Sequence, residues 1–196
     1  MNVLFICTGN TCRSPMAEAL LRKKSSVNVK SAGMFANEGS PVSEGTQTAL
    51  SSVGVTHQHQ SQPITADLLD WADLILTMTM SHKETLLTTY SQVYDKTYTL
   101  KEYVLLDGEF TWEKLKDAYR RLEEKRATIV YEKDQLQTEQ QMRAFLREEQ
   151  DEIDRLEREM PNYDIADPFG GNAATYEETL QEMEKYINLL IEKLEK

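Results

Sequence analysis

Cys7-Thr8-Gly9-Asn10-Thr11-Cys12-Arg13-Ser14 lies between the apolar run Val3-Leu4-Phe5-Ile6 and the helix-forming stretch Pro15-Met16-Ala17-Glu18-Ala19-Leu20-Leu21. This order predicts a strand, a tight loop and a helix, with Pro15 suited to an early helical position. Gly9 is expected to supply the backbone freedom that turns the loop's N–H groups inward. Consecutive amides and a helix N-terminus then converge on one spot, which suits an anion of phosphate size. A Cys beneath such a ring is expected as the thiolate, favoured by the amides and by Arg13, and a thiolate under a bound phosphate is a nucleophile. The planar guanidinium of Arg13 can grip two phosphate oxygens. A buried small residue at a strand end would explain Cys7, but it explains neither Arg13 nor Ser14.

Outward from the loop, strands and helices alternate. Residues 2–6 read as a buried strand and 14–24 as a helix. Val27 to Val29 predicts a second strand that ends at Ser31-Ala32-Gly33, and 41–53 a helix with Pro41 at its start and Gly54 at its stop. Further helical segments are expected at 64–71, from a Ser81 cap to about Tyr90, and at 175–195. Asp73-Leu74-Ile75-Leu76-Thr77-Met78 is the clearest later strand, and Tyr98-Thr99-Leu100 a short fourth. The pattern predicts an α/β fold with a four-stranded parallel twisted sheet covered by helices on both faces. Such sheets bind ligands beyond the carboxyl ends of their strands, which is where the Cys7 loop falls.

One segment departs from this alternation. From Glu109 to Met160 there is no Gly, and charged residues crowd in. Leu115, Leu122, Ile129 and Leu136 recur every seven residues, with Ala118 at the complementary position. After a phase break Met142, Leu146, Ile153, Leu156 and Met160 continue an apolar stripe. The expectation is a helical insertion over 109–158 in a domain formed by 1–108 and 159–196. It is either one long helix or a hairpin bent near Gln137-Thr138-Glu139-Gln140. Its narrow stripe needs a partner: its own second arm, a coiled coil with another copy, or another protein.

Composition narrows the function. The chain has 196 residues, 40% of them hydrophobic, and a formal net charge of -11. That charge argues against non-specific nucleic-acid binding. No apolar run reaches membrane-spanning length, so a cytoplasmic protein is expected. The two Cys share one loop and do not make a disulfide scaffold or a zinc signature. His57-Gln58-His59 reads as a strand with its two rings on opposite faces. His57, His59 and His82 are therefore expected to be ordinary surface or loop residues, with no metal site and no cofactor.

A second motif, Asp167-Pro168-Phe169-Gly170-Gly171, reads as a loop of fixed shape. With Cys-Thr-Gly-Asn-Thr-Cys-Arg-Ser-Pro-Met-Ala-Glu near the N-terminus, it resembles the low-molecular-weight protein tyrosine phosphatases, and within them the bacterial protein-arginine phosphatase branch. Ser31-Ala32-Gly33, the 72–79 strand and Leu100-Lys101-Glu102-Tyr103-Val104 carry the same resemblance, which spans roughly residues 1–107 and 161–196. It implies that Cys7 is the nucleophile that becomes phosphocysteine and that Arg13 binds phosphate. It also implies a cradle of main-chain amides from Thr8 through Arg13, held in shape by Asn10. Ser14 donates to the Cys7 sulfur, and Asp167 acts as general acid and then base. Cys12 pairs reversibly with Cys7 under oxidant. Thr11 is the residue associated with accepting phosphoarginine, and Phe169 walls the pocket. The expected partners are phosphorylated proteins.

Four other readings compete. A tyrosine phosphatase would carry a bulky aliphatic residue at position 11. An adaptor or assembly module would act through 109–158, either by self-association or through a protein partner. An arsenate reductase needs relay cysteines after Cys12, and there are none. A phosphocysteine carrier needs no general acid, so Asp167 speaks against it.

Overall fold

The computed structural model describes residues 1–105, 109–131, 139–159 and 161–195. They form two compact units, residues 1–105 with 163–196 and residues 106–162.

The first unit opens with β1 (Asn2–Cys7), whose alternation sets the whole arrangement. Val3, Phe5 and Cys7 face one side of the sheet, Leu4 and Ile6 the other, and all five are buried. The chain continues through α1 (Arg13–Lys24), β2 (Asn28–Gly33), α2 (Glu44–Ser52), α3 (Ala66–Trp71), β3 (Leu74–Thr77) and α4 (Met80–Thr89). A 3₁₀ turn at Ser91–Lys96 leads into β4 (Thr97–Thr99) and then α5 (Leu100–Leu105). The strands pair in the order β2-β1-β3-β4, all parallel. The chain steps from β1 to β2 on one side and returns to β3 on the other. That makes the carboxyl end of β1 the switch point where such sheets hold ligands.

The later helices are α6 (Glu109–Tyr131), α7 (Glu139–Glu159) and α8 (Ala173–Leu194). α8 lays Tyr176, Leu180, Met183, Ile187 and Leu190 over the Val3–Phe5–Cys7 face, where α1 adds Met16, Ala17, Leu20 and Leu21. Leu68, Leu69 and Leu86 from α3 and α4 cover the Leu4–Ile6 face.

Several ends differ from the sequence expectation because a polar side chain decides them. Ser43, not Pro41, caps α2, its hydroxyl accepting from the Thr46 N–H. Thr79, not Ser81, caps α4 by accepting from the His82 N–H. Asn172 caps α8 and so starts it at Ala173. Leu100 begins a helix rather than ending a strand.

In the second unit α6 and α7 pair as an antiparallel hairpin, so the single long helix is not what forms. Leu115, Ala118 and Leu122 bury against Ile153 and Leu156, with Leu146 alongside. Arg121–Glu152 at 2.6 Å and Lys125–Glu149 at 2.5 Å flank the seam. The second arm thus supplies the partner that the narrow stripe needs. The bend near 137–138, the side chain of Ile129, and Leu136 and Met160 lie outside the described residues. No helix among the described residues is long and apolar enough to cross a membrane.

Candidate active site

The loop between β1 and α1 closes around the Cys7 sulfur. Ser14 Oγ lies 3.0 Å from Sγ, and the Asn10 N–H donates to it at 3.3 Å. Cys12 occupies the N-cap position of α1 without a side-chain cap. The first-turn amides of α1 are therefore left to serve an anion at this spot.

The loop's shape rests on Asn10, not on Gly9 as the sequence suggested. Asn10 is fully buried with φ at 55°, the left-handed region, and is the only described non-glycine residue with positive φ. Asn is among the few residues that enter that region readily. Its amide nitrogen donates to Ser14 Oγ at 3.0 Å and Ser31 Oγ at 2.8 Å, and its Oδ1 accepts from the Gln62 N–H at 3.0 Å. Its backbone carbonyl accepts from His59 Nε2 at 2.9 Å. Gly33, the partner of Cys7 on β2, packs beneath the loop, where an added Cβ would stand 2.7 Å from Thr8 O and 2.9 Å from Asn10 N.

Across the mouth, Arg13 is almost wholly buried and its Nη2 meets Asp167 Oδ2 at 2.7 Å, while Nη1 donates to Ile165 O at 3.3 Å. Residues 168–171 form a type II turn: the Gly171 N–H donates to Pro168 O at 2.9 Å, and Gly170 takes φ of 76° at the third position. The Phe169 N–H donates to Asp167 Oδ1 at 3.2 Å, which fixes the carboxylate, and the Phe169 ring is 75% exposed at the rim. A pocket of about 210 Å³ is lined by Cys7, Thr8, Gly9, Thr11, Cys12, Arg13, Asp167 and Phe169. Ser14 and Asn10 sit behind it. Cys7 and Cys12 are not joined by a disulfide, and the Cys12 sulfur points to Ser43 Oγ at 3.3 Å.

Three residues read as ordinary from sequence belong to this region. His82 Nε2 meets Thr8 Oγ1 at 2.9 Å. Burial pushes its imidazole down to about 4, Arg13 adds to the effect, and Asp167 and Asp164 oppose it. The signal available in sequence was its place one turn beyond the carboxyl end of β3, on the side where ligands bind. His57 and His59 are not on opposite faces of a strand. They lie in a loop with rings stacked 5.2 Å apart, beside Glu18, and their side chains are only 4% and 5% exposed. Irregular backbone lets residues two apart face the same way, which strand periodicity forbids.

Residues 2–156 match the family described as Low molecular weight phosphotyrosine protein phosphatase. The chain is 40% identical over 196 residues to a protein-arginine-phosphatase of Geobacillus stearothermophilus, covering 98% of this chain and 95% of that one. It is 40% identical over 111 residues to the low molecular weight protein-tyrosine-phosphatase PtpB of Staphylococcus aureus, covering 56% of this chain and 78% of that one. A solved structure described as the YwlE arginine phosphatase, C7S mutant with phosphorylated active site serine, superposes with a TM-score of 0.70 at 30% identity, covering 100% of this chain and 97% of that one. With its catalytic-type loop at the end of the first of four parallel strands, the chain belongs to the low molecular weight phosphotyrosine protein phosphatase family.

Proposed function

We propose that this protein hydrolyses phosphoarginine on proteins in two steps through a phosphocysteine. The Cys7 thiolate attacks phosphorus while the P–N bond to the substrate arginine breaks, and Asp167 delivers a proton to the departing guanidino nitrogen. Asp167 then takes a proton from water, whose oxygen attacks phosphorus. The S–P bond breaks, releasing phosphate and restoring the thiolate. Arg13 and the loop amides hold the phosphoryl oxygens through both steps, where charge spreads over them. Ser14 donates to the sulfur, its own oxygen oriented by Asn10.

The observation that carries this reading is the Cys7 sulfur held within 3.3 Å of Ser14 Oγ and the Asn10 amide, in a pocket that Asp167 also lines. The preference for arginine is supported by Thr11 and Asp167 both lining the pocket. A small hydroxyl side chain leaves room for a polar group, and a carboxylate pairs with a guanidinium as it does not with a phenol. The near full-length relative named for arginine dephosphorylation agrees with it. The relative named for tyrosine supplies a second reading, phosphotyrosine hydrolysis by the same residues.

Matched phosphoarginine and phosphotyrosine peptides separate the two. Wild type is expected to favour phosphoarginine in kcat/KM by at least about tenfold, and Thr11→Ile to narrow or reverse the ratio, since one buried contact is worth about 1–3 kcal/mol in discrimination. A wide phosphotyrosine preference in wild type refutes the arginine assignment. Turnover by Cys7→Ser refutes the mechanism for either substrate.

A further inference from the structure

Outside the lining of the Cys7 pocket, Glu18 of α1 meets the two histidines of the 55–60 loop. His59 Nδ1 lies 3.7 Å and His57 Nε2 3.9 Å from Glu18 Oε2, and the three ligand-type atoms all lie within 4.8 Å of one another. Neither histidine is close enough to Glu18 for a hydrogen bond. All three side chains are more than nine-tenths buried, at 4%, 5% and 8% exposure. His57 Nε2 is buried with no hydrogen-bond partner at all. Buried polar atoms left in this state are uncommon and point to a missing ligand.

The orientation of His59 is set. Its Nε2 contacts the Asn10 carbonyl, which can only accept, so Nε2 carries a hydrogen and Nδ1 is the ring atom that faces Glu18. Imidazole ligands of metals show this arrangement, one nitrogen on the ion and the other donating to a carbonyl. Glu18 is oriented in the same way: Ser31 Oγ donates to its Oε2 at 2.6 Å and Arg22 to its Oε1 at 2.5 Å.

We propose that Glu18, His57 and His59 bind a divalent transition cation of the zinc class. Two imidazole nitrogens and one carboxylate oxygen are a donor set that zinc accepts, with the fourth position left to water. Ligand bonds near 2.1 Å put tetrahedral donors about 3.4 Å apart, so the 3.7 and 3.9 Å separations from Glu18 need shifts of a few tenths of an ångström, and the two imidazole nitrogens, within 4.8 Å of each other, close by at most about 1.4 Å. The ion has a route in. His57 and His59 line a surface pocket of about 610 Å³ with Pro41, Val42 and Gln47. A cation on Nδ1 of His59 strengthens its Nε2–H as a donor to Asn10, which links occupancy of this site to the shape of the Cys7 loop.

The test uses the full chain carrying Cys7→Ser and Cys12→Ser, so that zinc has no thiols to bind. Zinc is titrated by calorimetry while backbone amide signals of residues 7–14 are followed by NMR. One equivalent is expected to bind with micromolar affinity or better and to shift the Asn10 signal. Adding His57→Leu is expected to weaken binding at least tenfold while leaving the fold intact, since an apolar side chain replaces an unpartnered buried nitrogen. Glu18→Gln is expected to weaken binding as well. Absence of binding to the thiol-free protein overturns the proposal. So does binding that His57→Leu leaves unchanged. Cobalt(II) as an alternative probe is expected to give the absorption of a tetrahedral site, and an octahedral spectrum also overturns it.

Discussion

Asn10→Ala tests how the catalytic loop is held. Alanine in the left-handed region costs about 1–2 kcal/mol where asparagine sits with little penalty. The substitution also removes two buried donors, to Ser14 and Ser31, and the only acceptor of the Gln62 N–H among the described residues. Each such bond is worth about 1 kcal/mol net, and the stranded Gln62 amide adds a desolvation penalty. The expected loss is about 4–6 kcal/mol, a large share of the 5–15 kcal/mol that holds a typical domain together. At this chain length that lowers the melting temperature by about 10 °C or more. Asn10→Gly separates the two causes. It loses the same bonds but relieves the backbone, so urea denaturation is expected to place it about 1 kcal/mol above the alanine variant. Asn10→Asp keeps the shape and the acceptor for Gln62 while placing a carboxylate against Ser14, close to the sulfur. It is expected to lose kcat out of proportion to stability. If Asn10→Ala melts within about 2 °C of wild type, with kcat preserved, then strain and side-chain bonds at Asn10 do not hold the loop and this reasoning is wrong.

Three more outcomes follow from the same geometry. Gly33→Ala drives a Cβ to 2.7 Å from Thr8 O and 2.9 Å from Asn10 N, both backbone atoms, so the loop must shift. A fall in kcat/KM of at least about tenfold is expected with the fold retained by circular dichroism, misplaced catalytic groups being costly at the 1 Å level. His82 makes stability depend on pH. Its folded value of about 4 lies below the ordinary 6.5, so the unfolded chain takes up a proton that the folded chain refuses. Stability is therefore full above pH 6.5 and falls through that window toward pH 4, by about 1–2 kcal/mol after allowance for partial exposure. Unfolding of His82→Gln measured over the same range is expected to fall less, and equal curves for both proteins would refute the assignment. Cys12→Ser is expected to turn peroxide inactivation that dithiothreitol reverses into loss it does not, through sulfinic acid at Cys7. Recovery equal to wild type removes any protective role for Cys12.

What was legible in the sequence was what depends on local pattern. The apolar run before Cys7, the Pro15 start and the alternation of strand and helix are short-range signals, and the structure realises them as a four-stranded parallel sheet with the Cys7 loop at its switch point. The hairpin's core was half legible. The seven-residue spacing identified Leu115 and Leu122, but whether the stripe folds back on itself is a long-range question that Ile153 and Leu156 answer only in three dimensions. The histidines were misread because a strand period was applied to irregular backbone. The role of Asn10 was legible only through resemblance, since nothing local separates it from Gly9 as the left-handed residue. Ser31 and Gln62, 21 and 52 residues away, give no local sign that they hold it.

The Arg13–Asp167 pair bears on substrate choice in a way that neither motif discloses alone. The proposed phosphate clamp and the proposed acid occupy each other at 2.7 Å, with Arg13 buried and Asp167 half exposed. A phosphoryl oxygen that takes the Nη2 contact displaces Asp167, so binding at that atom is an exchange of partners. A phosphoryl dianion that takes this contact leaves Asp167 as a half-exposed carboxylate at the pocket mouth, where a substrate cation can replace the lost partner at a modest gain. A guanidinium leaving group supplies that cation, whereas a phenol leaves Asp167 to solvent or to a proton. On the proposed reading, then, Asp167 meets the substrate as a carboxylate, and the proton it returns to the departing nitrogen is one it first accepts from the bound guanidinium. Removing its charge with Asp167→Asn should raise KM for phosphoarginine peptides more than for phosphotyrosine peptides, while kcat falls by about 10²–10⁴ for both. An equal KM change for the two substrates would leave the exchange without a role in selection and return the whole of the preference to Thr11.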